Sequence, residues 1–156
     1  MNCKLSKVTC ADRQILHQLL QYSLFEESET DLNEMNSDAL FEYKWFDSYF
    51  TDKDRDAYLI KSDDDRLLGF AMVNTYMQKS DTGHSVAEFM IIPKYRRQKI
   101  GKCIAYKLFD MYKGIWEVSP SYGSEKAFQF WEHIISEYTK SNYNFSDGIF
   151  VFKSGE

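Results

Sequence analysis

The chain has 156 residues, 44% hydrophobic and 28% charged, which excludes a disordered chain and gives room for one sizeable core rather than two. The formal net charge of −5 excludes a general nucleic-acid binder, because affinity for a phosphate backbone needs a cationic footprint. The same charge suits a cationic partner such as an amine.

Three cysteines (Cys3, Cys10, Cys103) form no CxxC pair and no metal-ligand spacing. The first ten residues, MNCKLSKVTC, lack the apolar stretch of a secretory leader, and no apolar run reaches membrane-spanning length. The expectation is a soluble cytoplasmic protein with reduced thiols and no membrane contact.

In chain order, Lys4–Val8 alternates weakly and is expected to be a first strand. Thr9 followed by Asp12 has the spacing of a capping box opening a helix, in which Ile15, Leu16, Leu19, Leu20 and Leu24 share a face. The acidic run Glu26–Asp31 ends it as a polar loop. Asp38–Phe50 is predicted as a second helix, with Leu40, Phe41, Trp45, Phe46 and Tyr49 as an aromatic stripe. Asp56–Lys61 and Leu67–Met77 flank the polar turn Ser62–Arg66 and read as a hairpin. Ser85–Ile92 is a further strand, stopped by Pro93. From Lys99 the period becomes helical: Ile100, Ile104, Ala105, Leu108, Phe109 and Tyr112 share a face, and Gly114 closes the helix. Ile115–Val118 is a short buried strand. Ser124 then caps a helix in which Ala127, Phe128, Trp131, Ile134, Ile135 and Tyr138 point one way. Two short strands are expected near Tyr138–Tyr143 and Gly148–Phe152. The order is β-α-α-β-β-β-α-β-α-β-β, an α/β fold: a mixed sheet of about six to seven strands with helices on both faces, spanning 1–156 as one domain.

The chemistry concentrates in Glu88–Lys102, EFMIIPKYRRQKIGK. Five of the chain's 19 Lys and Arg (Lys94, Arg96, Arg97, Lys99, Lys102) fall within nine residues. A basic cluster at a strand-to-helix junction of an acidic protein asks for an anion. The first helical turn leaves N–H groups unpaired and carries the positive end of the helix dipole, so a pyrophosphate is well placed there. Gly101 would let backbone and ligand approach closely, although a solvated, Lys-rich helix start is the plainer alternative.

Glu88 to Gly101, together with Ile115–Val118 and Ala127–Trp131, resembles the GNAT superfamily of N-acetyltransferases. Their signature is a strand, then Arg/Gln-x-x-Gly-x-Gly/Ala, then a helix; Arg96, Ile100 and Gly101 match it. Lys99 replaces the first glycine, which suits the loop if its φ is negative. Ser124-Glu125-Lys126-Ala127-Phe128-Gln129-Phe130-Trp131 is similar to the downstream Asn-x-x-Ala-x-x-Phe-Tyr pattern, with serine for asparagine. The hairpin DAYLIK and LLGFAMV is similar to the family's central strands. The resemblance implies acetyl-CoA as co-substrate. Its pantetheine would lie along the backbone of Met90 and Ile91 and its pyrophosphate on the N–H groups from Arg97 through Gln98, Lys99, Ile100 and Gly101 to Lys102, with Arg96 adding charge. Ser124 either reaches the cofactor or is a plain N-cap.

Acetyl transfer needs a neutral amine, a polarised carbonyl and a proton for the departing thiolate. Glu88 is the one ionisable residue in an apolar strand, and partial burial would raise its pKa. It is read as general base, the other reading being a sheet-face carboxylate paired with a cation. Many family members place an acidic Tyr where this chain has Trp131, which is assigned to the core. Tyr122 is the substitute acid, or solvent serves. His17 and His133 are read as structural, His84 as a candidate relay to Glu88, Cys103 as no nucleophile, and no metal is expected. Glu26–Asp31 lines a substrate entrance or is a solvated loop. The aromatics of Tyr43–Phe50 suit a homodimer contact or core packing. The expected activity is direct acetyl transfer to a primary amine of a small molecule or peptide. The alternative is a degenerate CoA-binding sensor or interaction module.

Overall fold

The computed structural model describes residues 2–155. Seven strands form one sheet: β1 (Cys3–Lys7), β2 (Arg55–Ser62), β3 (Leu67–Asn74), β4 (His84–Ile91), β5 (Gly114–Val118), β6 (Asn144–Ser146) and β7 (Ile149–Ser154). Their spatial order is β1-β2-β3-β4-β5-β7-β6. The β4–β5 pair is parallel and every other pair antiparallel. One face is covered by α1 (Arg13–Glu27), the other by α2 (Ile100–Met111) and α3 (Glu125–Thr139). The mixed α/β architecture expected from the sequence is therefore the one observed.

Each helix buries the stripe its spacing requires. Leu16, Leu19, Leu20 and Leu24 of α1 pack on Leu59, Phe70 and Met72, while Ile15 of the expected stripe is exposed. Asp12 closes the chain turn before α1 by accepting the Thr9 N–H at 2.9 Å. On the opposite face, Ile100, Ile104, Ala105, Leu108 and Phe109 of α2 meet Trp131, Ile134 and Ile135 of α3 above Trp116 and Phe150. No helix among the described residues is long and apolar enough to cross a membrane.

Four expectations are corrected. Asp38–Phe50 is not a helix: only Asp47–Phe50 forms a short 3-10 turn, and Ala39 (φ 61°) and Trp45 (φ 72°) adopt the left-handed conformation. Aromatic residues are modest helix formers, and side chains here satisfy the backbone instead. Gln21 donates to the Phe41 carbonyl and accepts its N–H, both at 2.8 Å, and Asn36 accepts the N–H groups of Asp38 and Leu40. Phe41, Phe46 and Tyr49 are nevertheless buried. Second, β3 stops at Asn74 rather than Met77, because the Asn74 side chain accepts the Tyr76 N–H at 3.0 Å and turns the chain. Third, α2 ends at Met111, and Gly114 (φ 124°) opens β5 rather than closing the helix. Fourth, Tyr138 lies in α3; left-handed Lys140 and Ser141 follow, and the next strand begins only at Asn144. Asp147 and Gly148, both at positive φ, then supply the two-residue turn between β6 and β7.

Candidate active site

Two irregularities of β4 create the site. The register against β3 jumps from Met72↔Glu88 to Val73↔Val86, which leaves Ala87 as an extra residue, a β-bulge. Val86 and Phe89 consequently pack on the α2–α3 face, whereas Ala87 and Met90 pack on the α1 face. Glu88 is thereby turned towards α1. The second irregularity is a split. Only His84–Val86 pair with β5, at Trp116–Val118, so among the described residues the edge of β4 from Ala87 to Ile91 has no strand beside it on that side. The opposite edge is held tightly, with Gly69 of β3 so close that a Cβ there would sit 2.0 Å from the Met90 carbonyl oxygen.

Beyond the split, Pro93–Tyr95 makes a 3-10 turn and the basic loop follows. Arg97 (φ 65°) and Lys99 (φ 64°, ψ 15°) are both left-handed. The Lys99 expectation is thus corrected: its φ is positive, the conformation the signature glycine would supply. A left-handed residue followed by the helical Ile100 turns successive N–H groups to one side, a concavity suited to an anion. The α2 ladder opens with Cys103 donating to Lys99 at 3.1 Å, and among the described residues the N–H groups from Arg97 to Lys102 have no backbone acceptor. This N–H concavity at the mouth of an unpaired strand edge fits a pyrophosphate followed by an extended amide-bearing arm.

The basic side chains divide. Arg96 donates through Nε to the Ile91 carbonyl at 2.7 Å and through both Nη atoms to Glu26 at 2.9 Å. Lys102 is paired with Glu137 of α3. Lys94, Arg97 and Lys99 are exposed and, among the described residues, have no ion-pair partner. Gly101 is buried, and a Cβ there would lie 2.8 Å from the tip of the Phe130 ring. Its missing side chain therefore makes room for Phe130, where the sequence suggested room for a ligand. Phe89 and Phe130 each pack edge to face on Trp131 at 5.0 Å and lie tilted against each other at 6.0 Å as an aromatic wall, and Trp131 is core, as expected. Ser124 accepts the Ala127 N–H at 3.1 Å, so its hydroxyl is an N-cap.

Among the described residues, Glu88 has no ion-pair partner. Burial pushes its carboxyl well above the usual carboxylate range, and the charge and hydrogen bond of Glu27 push the same way, while the Tyr43 hydroxyl opposes them. Glu27, the last residue of α1, is raised by burial too and accepts from Ser23 Oγ at 3.3 Å. Neither Glu27 nor Tyr43 was singled out in the sequence as a site residue, the one read as part of the acidic loop and the other lying in the expected second helix outside its stripe. Tyr43 also lines a groove of about 610 Å³ with Trp45, Tyr49, Arg55, Asn74 and Tyr76.

Tyr122 is exposed in the β5–α3 loop and lines a second groove, of about 560 Å³, with Gln78, Ser121, Phe128, Phe145 and Asp147. That loop abuts the segment after α1, since a Cβ on Gly123 would meet Thr30 at 3.2 Å. His84 stacks on Tyr112 at 4.5 Å with its pKa lowered by burial, and its ring contacts lie on the Trp116 side of the sheet, away from Glu88. His17 packs edge-on against Phe46; His133 is exposed beside Glu137. Among the described residues no three His, Cys, Asp or Glu are placed to hold a metal ion.

A mixed sheet split at its parallel pair, with a helix N-terminus at the mouth of the split, is consistent with the fold that the resemblance to the GNAT superfamily implies. Residues 19–133 match the Acetyltransferase (GNAT) family, and the chain belongs to that family. Among solved structures, an acetyltransferase from Thermus thermophilus superposes with a TM-score of 0.68 at 14% identity, covering 98% of this chain and 97% of that one. A spermidine N-acetyltransferase from Vibrio cholerae, in complex with CoA and spermine, gives 0.58 at 11% identity over 97% and 95%. A ribosomal-protein-alanine N-acetyltransferase from Brucella melitensis biovar Abortus 2308 gives 0.53 at 14% over 71% and 72%. No curated protein matches in sequence.

Proposed function

We propose that the protein transfers the acetyl group of acetyl-CoA directly to a primary amine, with no covalent enzyme intermediate. One observation carries this reading: the strand edge left open by β5 runs from the carboxyl of Glu88 to the N–H concavity of Arg97–Lys102. Acetyl-CoA, as co-substrate, would lay its pantetheine along Met90 and Ile91 and its pyrophosphate on the N–H groups of Arg97, Gln98, Lys99, Ile100, Gly101 and Lys102. Arg97 and Lys99 add charge, while Arg96 and Ser124 hold the loop and the α3 start. The thioester carbonyl would accept an N–H from the unpaired β4 edge.

The acceptor reaches Glu88 past Tyr43, along the aromatic groove. It arrives as an ammonium and must lose a proton before it can attack. The Glu27–Glu88 pair, whose carboxyls burial raises above the usual carboxylate range, takes that proton. The amine nitrogen then bonds to the acetyl carbon, the carbon–sulfur bond breaks, and the thiolate takes a proton from Tyr122 or water.

The neighbouring folds are named for spermidine and for a ribosomal protein; the reading takes as acceptor a small-molecule or peptide amine, in a cytoplasmic enzyme able to form a homodimer. A panel of spermidine, simple alkylamines and peptides with a free N-terminus, incubated with acetyl-CoA and read by mass spectrometry, tests the reaction. Binding of acetyl-CoA without any acetylated product would favour the sensor reading, for which Trp131 in place of an acidic tyrosine speaks.

A further inference from the structure

We propose that Glu26 is a positioning residue for the acetyl-CoA loop. By gripping Arg96, it holds Arg97 and Lys99 in the left-handed conformation that turns the loop's N–H groups to the pyrophosphate. The inference rests on the reading that this loop binds acetyl-CoA, and it concerns how the loop is kept in shape.

The loop is under strain. Arg97 and Lys99 carry a Cβ and yet sit at φ 65° and 64°, a conformation in which the Cβ crowds the following carbonyl. Two such residues within three positions persist only where surrounding contacts over-determine them. Contacts inside the loop are modest: Tyr95 N–H to Ile92 at 2.8 Å, Arg96 N–H to Pro93 at 3.2 Å, and Gln98 Nε2 to Lys94 at 3.4 Å.

Arg96 is the residue whose side chain ties the loop to two other elements. Its Nε fixes the Ile91 carbonyl at the end of β4, and its two Nη atoms meet both oxygens of Glu26 at the end of α1. A fork with two parallel bonds fixes direction as well as distance. The hydrogen bond from Arg96 keeps the Glu26 carboxyl below the usual carboxylate range, so it is charged at neutral pH. With both Nη groups committed, Arg96 serves the loop's shape, and the phosphates are left to the N–H groups and to Arg97 and Lys99.

Alternative roles predict different signs. A half-exposed ion pair contributes little to global stability, so a merely structural Glu26 would leave CoA affinity alone. Coulomb's law alone predicts tighter CoA binding when a negative charge near the phosphates is removed. A positioning role predicts weaker binding.

The test is calorimetric titration of CoA into the wild type, Glu26→Ala, Lys99→Gly and Glu26→Ala/Lys99→Gly, with amide hydrogen exchange of residues 97–102 in the ligand-free proteins. We expect Glu26→Ala to weaken CoA binding about tenfold, a difference of about 1.4 kcal/mol, with little change in melting temperature and with faster exchange confined to the loop. Lys99→Gly removes a charge as well as a Cβ, so the double variant is compared with Lys99→Gly alone: there Glu26→Ala should cost clearly less than tenfold, because glycine adopts positive φ without the Cβ penalty. Unchanged or tighter binding by Glu26→Ala, or an equal loss in the Lys99→Gly background, overturns the proposal. If the wild type itself fails to bind CoA, the cofactor reading fails; the exchange data then decide alone, loop-confined acceleration supporting the role of Glu26 and an unchanged loop refuting it.

Discussion

Replacing Gly69 by alanine should unfold the centre of the sheet, although strand propensity alone favours the change. The added Cβ would lie 2.0 Å from the Met90 carbonyl oxygen, 3.0 Å from its carbon and 3.1 Å from the Ile91 Cα. All three obstacles are backbone, so no rotamer change relieves them. The strands must separate where Gly69 faces Ile91 and Phe70 faces Met90, next to the 2.8 Å bond from Ile92 N–H to Leu68. Two or three ladder bonds at about 1 kcal/mol each, plus about 1–3 kcal/mol for the displaced packing, give a loss of about 3–6 kcal/mol. For a chain of this length that lowers the melting temperature by roughly 10–20 °C, read by circular dichroism. The same displacement moves Met90 and Ile91, so the remaining folded protein should bind acetyl-CoA poorly. A melting temperature equal to or above that of the wild type would refute the close approach and the packing argument built on it.

Glu88→Gln should lower turnover by about 100-fold and yet raise the melting temperature at neutral pH. The folded carboxyl has a raised pKa, so the wild type loses stability as pH rises from the unfolded carboxylate value towards the folded one, a loss the amide does not suffer. Melts across pH that show no such difference would contradict the burial of this carboxyl. Glu27→Gln removes the like charge beside Glu88, so the acid limb of the rate profile should move to lower pH; an unmoved limb means the two carboxyls do not interact. Glu117 is 2% exposed and accepts the N–H groups of Gln78, Lys79 and Ser80 at 2.7–2.9 Å. Burial alone would raise its pKa, but the three bonds outweigh it and lower it. Its contribution is present above the unfolded carboxylate pKa and fades as pH falls through the folded one. Glu117→Gln should therefore destabilise by about 2–3 kcal/mol at neutral pH, with the gap to wild type closing in acid.

The regular elements were legible because their residues have one job each. The α2 and α3 stripes, the β2–β3 hairpin and the buried IWEV strand all bury a face whose period survives in the sequence. The Asp38–Phe50 stripe misled because Phe41, Phe46 and Tyr49 are core residues at helix-compatible spacing, while the backbone is set by distant Gln21. The bulge at Ala87 left no trace either: SVAEFMI is apolar on both faces, so a one-residue slip changes no visible pattern. The site was legible where it is local. The run Arg96–Lys102 announced an anion loop, and Glu88 stood out as the lone charge in its strand. Its partners did not, since Glu27 and Glu88 meet only through the fold. Gly101 was visible as a glycine with a reason, but the reason, Phe130, lies 29 positions downstream.

The account stands most directly on titration of the protein with acetyl-CoA, with ATP as a polyphosphate control. It predicts saturable one-to-one binding of acetyl-CoA and none of ATP, because the pantetheine arm needs the open edge of β4. Failure of acetyl-CoA to bind at millimolar concentration, or equal binding of ATP, would contradict it.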